Sequence, residues 1–412
     1  MKSKVLGSMM LVAGSTIGAG MLVMPINSAS VGFGVTFIEL LVFYFLMLIP
    51  ALAIAEATQF APQGTSIAGI MQRTFGLTGY FANNILLYVF AYSLACAYIS
   101  GITNVLAQIL SVPEGFRRIF TLLCIIPLGL IVVISTRVAD LINRVMFYIM
   151  CLAFIVLVGI SLTNINLSYL TAGPVSATAV YRSIPIFFLA YGFHILIPSL
   201  SDYLDRNVRD LKISLIGGLT IPFVIFTIWN LVVHGQASQE QLIEFAQSNN
   251  VNIAGLITHG TPNTTLAVAI TLFTLTALLT SFIGLSTALI TTLKESFKKE
   301  QDKQPQGLIG ADQDIKVETK LNRLALFVLT FALPAVMLTF TPAAFVFFLG
   351  FASIISTLQA MIMPMVALIK IRLTNPDLYK EKNVYRFFLP SSLLGLVSVA
   401  FLIMALMADL HF

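Results

Sequence analysis

The chain has 412 residues, 58% hydrophobic and only 10% charged, with a mean hydropathy of +0.94 and a formal net charge of +5. No soluble domain needs so apolar a composition, and long unbroken apolar runs exclude the short alternating segments of a membrane β-barrel. The basic residues are scattered over short connections, so the positive charge is no sign of nucleic-acid binding. Cys96, Cys124 and Cys151 each fall inside an apolar run and give neither a disulfide framework nor metal-ligand spacing. The chain reads as a polytopic all-α membrane protein.

A helix needs about 20 residues to cross the hydrocarbon. Eleven such spans are predicted, at 5–28, 35–60, 81–110, 119–135, 145–163, 183–204, 211–234, 264–293, 324–340, 343–369 and 388–409. The first contains Gly14-Ser15-Thr16-Ile17-Gly18-Ala19-Gly20. Each glycine costs a helix about 1 kcal/mol relative to alanine, so three in seven residues suit an interruption. Unwound backbone at membrane depth is tolerated only where it is buried in protein or lines a cavity. The same spacing of small residues also serves close helix packing, and the stretch alone does not choose. A cleaved signal peptide is the third reading, and the ten later spans argue against it.

The connections set the orientation. Arg117, Arg118 and Arg182 lie on one side, and the other 20 of the 23 Lys and Arg lie on the opposite side. Cytoplasmic loops carry that excess, so the N-terminus is expected inside and the C-terminus outside. Residues 64–79 read as a short polar inner loop. Residues 235–263 carry no Lys or Arg and face outward, with a short amphipathic helix at 238–248. Residues 294–323 read as a charged cytoplasmic linker. No separate soluble domain is expected.

The sixth span repeats the oddity of the first. Gly192 precedes Pro198 by six residues, as Gly20 precedes Pro25 by five. Spans one to five (1–170) and six to ten (180–370) then form two halves of opposite topology, with 388–410 as an additional helix. Paired Gly/Pro-interrupted segments in two inverted halves point to a transporter binding site. That symmetry favours the interrupted-helix reading of the first span.

These residues carry a resemblance. Gly14-Ser15-Thr16-Ile17-Gly18-Ala19-Gly20-Met21-Leu22-Val23-Met24-Pro25 is similar to the first helix of the amino acid–polyamine–organocation superfamily. Tyr191-Gly192-Phe193-His194 with Pro198-Ser199, together with Ala97-Tyr98-Ile99-Ser100-Gly101, resembles bacterial aromatic amino acid permeases of the tyrosine/tryptophan type. The likeness covers nearly the whole chain. It implies a leucine-transporter-like fold of five plus five inverted helices, with helices 1 and 6 broken. It also implies symport of an aromatic amino acid, tyrosine first and tryptophan or phenylalanine after it, across the bacterial inner membrane.

An α-amino acid presents a carboxylate and an ammonium close together. The N–H groups of Ala19 and Gly20, at the positive end of the second half-helix, suit the carboxylate. Carbonyls of Gly14, Ser15, Phe187, Phe188 and Ala190 suit the ammonium, and Thr16 and Gly18 complete the unwound stretch. Phe187, Phe188, Tyr191, Phe193 and Tyr98 are the expected ring pocket, with Tyr92 a lesser candidate. For the coupling ion, His194 is the foremost candidate, because its unperturbed pKa of about 6.5 suits proton exchange. The alternative is a neutral histidine bonded between helices. Glu39 lies in the outer half of the second span, and Glu56 at its inner end reads as solvated. Asp202 and Asp205 are expected to meet Arg206 or water.

The resemblance places a sodium site between carbonyls of Gly14 and Ile17 and hydroxyls of Thr280 and Ser281. Many proton-coupled relatives carry a lysine on the fifth span, where this chain aligns Met150, so proton and sodium both stay open. No metalloprotease, nucleophile-elbow or paired intramembrane aspartate motif is present, so an enzyme is not expected. Nor is there a repeated filter sequence or charge ring of a channel. The expected partners are substrate, ion and lipid; no cofactor and no obligatory protein partner are expected.

Overall fold

A computed structural model describes residues 2–247, 253, 264–296, 322–341, 345–375 and 390–409. All regular structure among them is helical. The first span is two helices, α1 (Lys2–Thr16) and α2 (Ala19–Asn27), bent by 52° at their junction. The second is α3 (Gly32–Thr58). The third, α4 (Ile67–Ile109), contains a turn at Gly76, whose φ of +69 is a left-handed conformation that favours glycine.

That turn corrects the reading of 64–79 as a polar loop. The Ser66 hydroxyl accepts from the Gly69 N–H and starts a helix. Ile67, Ile70 and Met71 are buried, and Lys370 lies 4.6 Å over the Phe75 ring. Next come α5 (Arg117–Ile134) and α6 (Thr136–Leu162). Here too a predicted loop, 136–144, is helical, because one extended residue, Ser135, separates the two helices and caps the second through the Val138 N–H.

The sixth span breaks between α7 (Ala177–Ala190) and α8 (Ile197–Tyr203), with a 3-10 turn at His194–Leu196. Then follow α9 (Val208–Gln236) and the short α10 (Gln239–Gln247), which fills the amphipathic segment expected at 238–248. The eighth span is α11 (Thr264–Ser296) and the ninth α12 (Arg323–Phe340). The tenth is α13 (Phe345–Ser356) and α14 (Met363–Thr374), joined by a π turn at Thr357–Ile362, and α15 (Ser391–Asp409) closes the chain. Nine helices among the described residues are long and apolar enough to cross a membrane, ten with the bent pair, and the apolar part of α15, Ser391–Leu406, is shorter. Most of the expected linker 294–323 lies outside the described residues.

Small residues set the close packing around the first span. A Cβ on Gly218 would come 2.6 Å from the Val12 Cβ, and one on Gly217 would strike the Met9 side chain. The glycine pair is therefore the notch that seats α1 on α9. α15 is part of the core: Phe401 meets Phe188 of α7 edge-on at 5.1 Å.

Glu56 corrects a third expectation. It is fully buried, not solvated, and Arg372 of α14 grips it through two bonds of 2.9 and 2.7 Å. Asp202 accepts from Arg206 at 3.2 Å and from the Gly64 N–H at 2.6 Å. Asp205 pairs with Lys4 at 2.8 Å.

Candidate functional site

The first break exposes unlike helix ends to each other. The Ile17 N–H still reaches the Ala13 carbonyl at 2.9 Å. Gly18 then turns extended, with φ −159 and ψ −156, so the next carbonyls, from Gly14 onward, lose their helical donors. The hydroxyls of Ser15 and Thr16 do not fill the gap; they donate back to the Val12 carbonyl at 2.9 and 2.7 Å. On the other side α2 begins. The Ser281 hydroxyl of α11 accepts from the Ala19 N–H at 3.2 Å. The next N–H, that of Gly20, has no acceptor among the described residues. A negative helix end and a positive one thus lie a few residues apart.

The second break crosses the first. A Cβ on Gly20 would sit 3.1 Å from the Ala190 Cα, so backbone meets backbone there. Past Ala190 the ladder fails. The Gly192 N–H turns to Leu189 at 3.0 Å, which leaves the Phe188 carbonyl without its helical donor. The Phe187 carbonyl remains taken, by the Tyr191 N–H at 3.2 Å.

The aromatic side chains of this span face away from the first break. Phe187 stacks on Phe43 at 5.6 Å, and Phe188 meets Phe43 edge-on at 4.9 Å. Tyr191 lies against Phe226, and its hydroxyl donates to the Leu40 carbonyl at 3.2 Å. Phe193 stacks on His194 at 4.7 Å. All four rings are buried. Tyr92 is also turned aside, donating to Leu329 of α12 at 2.7 Å. Tyr98 alone of the expected ring residues reaches the first break, through an interaction with the Ser281 hydroxyl.

The open face is made by other residues. A Cβ on Gly18 would lie 3.0 Å from the Ser281 Oγ, so the junction of α1 and α2 touches α11 there. Gly14 lies one turn before Gly18, and Gly284 one turn after Ser281. Both are exposed, and neither has any atom within 4 Å of an added Cβ. In the second break, between α7 and α8, the exposed residues are Gly192 and Ile195, the latter 46% exposed. The opposite side is shut: Met21 to Ile26 of α2 and Ile186 to Phe188 of α7 are buried. Sequence reasoning did not single out the exposed Ile195 and Gly284. Gly284 could have been found as the glycine one turn from Ser281.

The ion candidates are dispersed. Thr280 donates to the Ala277 carbonyl at 3.1 Å, and the Ser281 hydroxyl accepts from the Ala19 N–H at the first break. His194 is 1% exposed, and its Nε2 lies 3.0 Å from the Met47 carbonyl. A carbonyl only accepts, so Nε2 carries a proton; Nδ1 has no partner. Glu39 accepts from the Ser183 hydroxyl at 2.6 Å. Met150 is buried. Among the described residues no group of three or more His, Cys, Asp or Glu could hold a metal ion.

Residues 1–404 match the model of the tryptophan/tyrosine permease family. The tyrosine-specific transport system 1 of Haemophilus influenzae is 33% identical over 380 residues, 91% of this chain and 90% of that protein. A glutamine transporter of Aliivibrio fischeri is 26% identical, over 90% of each chain. The solved structure of a mutant manganese transporter from Eremococcus coleocola superposes with a TM-score of 0.63 at 15% identity, covering 98% of this chain and 85% of the other. That likeness concerns the fold, which is leucine-transporter-like, with its first and sixth spans broken.

Proposed function

The chain belongs to the tryptophan/tyrosine permease family, and on that premise we propose that it is a secondary-active carrier importing an aromatic amino acid, tyrosine first, on a proton gradient. The observation that carries this reading is the junction of α1 and α2. It offers the unpaired Gly20 N–H to a carboxylate and the carbonyls from Gly14 onward to an ammonium. Recognition through backbone leaves the side-chain pocket to set selectivity. Tyr98, which reaches the first break, and the exposed Ile195 of the second are candidate apolar walls of that pocket.

The charge distribution supports an inner-membrane carrier with its N-terminus in the cytoplasm and its C-terminus in the periplasm. The two inverted halves, 1–170 and 180–370, would rock about the crossing of Gly20 and Ala190. The glutamine transporter among the relatives favours one second reading, a carrier of another neutral amino acid on the same fold.

Purified protein in liposomes decides between them. Labelled tyrosine is expected to exchange in counterflow and to accumulate when the lumen is made alkaline. Tryptophan and phenylalanine should compete better than glutamine or leucine. Accumulation of glutamine without aromatic exchange would overturn the aromatic reading, and accumulation driven only by a sodium gradient would overturn the proton.

A further inference from the structure

Glu39 is a buried acid that the substrate site does not use. It stands seven residues into α3, about 10 Å from the helix start at 1.5 Å per residue, and is 7% exposed. One carboxyl oxygen accepts from Ser183 of α7 at 2.6 Å, and the other, Oε2, has no partner. No cation among the described residues lies within ion-pair distance of it. The chain above is sealed. The Val175 N–H donates to the Ser30 carbonyl at 2.8 Å, and Gly32, with a φ of +76, packs on the Ala172 carbonyl. Ser183 in turn belongs to the shut side, because the neighbouring Pro185 carbonyl is held by the Ser353 hydroxyl of α13.

Other titratable groups on the surrounding elements do not compensate the carboxyl. On α7 these are Tyr181 and Arg182, both exposed. On α9 they are His234, whose Nε2 is 3.1 Å from the Ser28 hydroxyl, and, at the opposite end of the helix, Arg209, Asp210 and Lys212. On the 3-10 turn Leu167–Thr171 it is Tyr169. None bonds to Glu39. A carboxylate with a single hydroxyl donor and one bare oxygen is costly in such a place, whereas a carboxylic acid there is not.

We propose that Glu39 is a proton-binding site of the outer closure, holding a proton while α7 lies on α3 and losing it to external water when α7 lifts away. The inference rests on the carrier reading above and adds where external acidity acts. Closing takes up one proton from outside and opening returns it, so external acid favours the shut form and external alkali the open one.

The test uses the full chain in liposomes with Cys96, Cys124 and Cys151 replaced and a reporter cysteine at Ile186, which is buried in the shut form. Reaction with an impermeant thiol reagent added from the N-terminus-distal side reads opening. The rate, divided at each pH by that of a permanently exposed reporter cysteine to remove the thiol's own ionisation, is expected to rise with external pH, by at most about tenfold per pH unit, the limit for one linked proton. Glu39→Gln should abolish that dependence, and Glu39→Asp, which keeps a titratable carboxyl, should retain it. An unchanged pH dependence in Glu39→Gln, or its loss in Glu39→Asp as well, would overturn the proposal. Tyrosine counterflow by the parent protein reports on the carrier reading separately, so failure of one is not failure of the other.

Discussion

Gly20→Leu is expected to abolish uptake while the protein still inserts in the membrane. The added Cβ would lie 3.1 Å from the Ala190 Cα and 3.3 Å from its Cβ. Backbone there cannot yield as the tip of a flexible side chain can, so α2 must move off α7. A shift of about 1 Å at a binding site costs roughly a hundredfold in rate, and the same side chain would crowd the open Gly20 N–H. Gly14→Ala is the contrasting variant. Nothing lies within 4 Å of its Cβ, so the fold should accept it and gain up to about 1 kcal/mol of helix propensity. Initial rates of labelled tyrosine uptake, normalised to protein in the membrane, check both. A Gly20→Leu variant that transports at the parent rate would remove the crossing from the mechanism.

Arg372→Met is expected to cause the largest loss of stability, about 3–5 kcal/mol, the usual result of breaking a buried ion pair from one side. The guanidinium contacts both oxygens of Glu56 and also reaches the Ser391 hydroxyl at 3.3 Å. It therefore joins α3, α14 and α15 at one point. The side chains are 8% and 0% exposed, so water screens little of the interaction. Glu56 deprived of this partner would keep its full desolvation penalty. The double variant Glu56→Leu/Arg372→Met removes both charges and should regain most of the loss. Thermal unfolding in detergent measures the series, and a loss below about 1 kcal/mol in the single variant would contradict the role.

The two breaks were legible because glycine and proline recur at matching places in two spans, and few other patterns explain that in a bilayer. The ring pocket was not legible in the same way. Phe187, Phe188, Tyr191 and Phe193 stand at successive positions around a helical turn, so composition alone does not say which face looks inward. In the fold all four pack behind the break, and the exposed positions are Gly192 and Ile195. Glu56 looked solvated because its partner is 316 residues away in the chain. The single-residue joint at Ser135 was hidden by Arg137, Asp140 and Arg144, which read as a loop; Asp140 and Arg144 form an ion pair at 2.8 Å along the helix. The π turn in the tenth span has no compositional signal that separates it from ordinary helix.

Both charges of the substrate are held, on this account, by main-chain groups at two interrupted helices. Competition against labelled tyrosine uptake tests that most directly, using tyramine, which lacks the carboxylate, and 3-(4-hydroxyphenyl)propionate, which lacks the ammonium. Each retains the ring, so pocket contacts are unchanged. Neither should compete at concentrations about a hundredfold above those at which tyrosine does, which corresponds to about 2.7 kcal/mol for each lost charge. Equal competition by tyramine would mean that the N-terminus of α2 does not bind the carboxylate, and the central claim would be wrong.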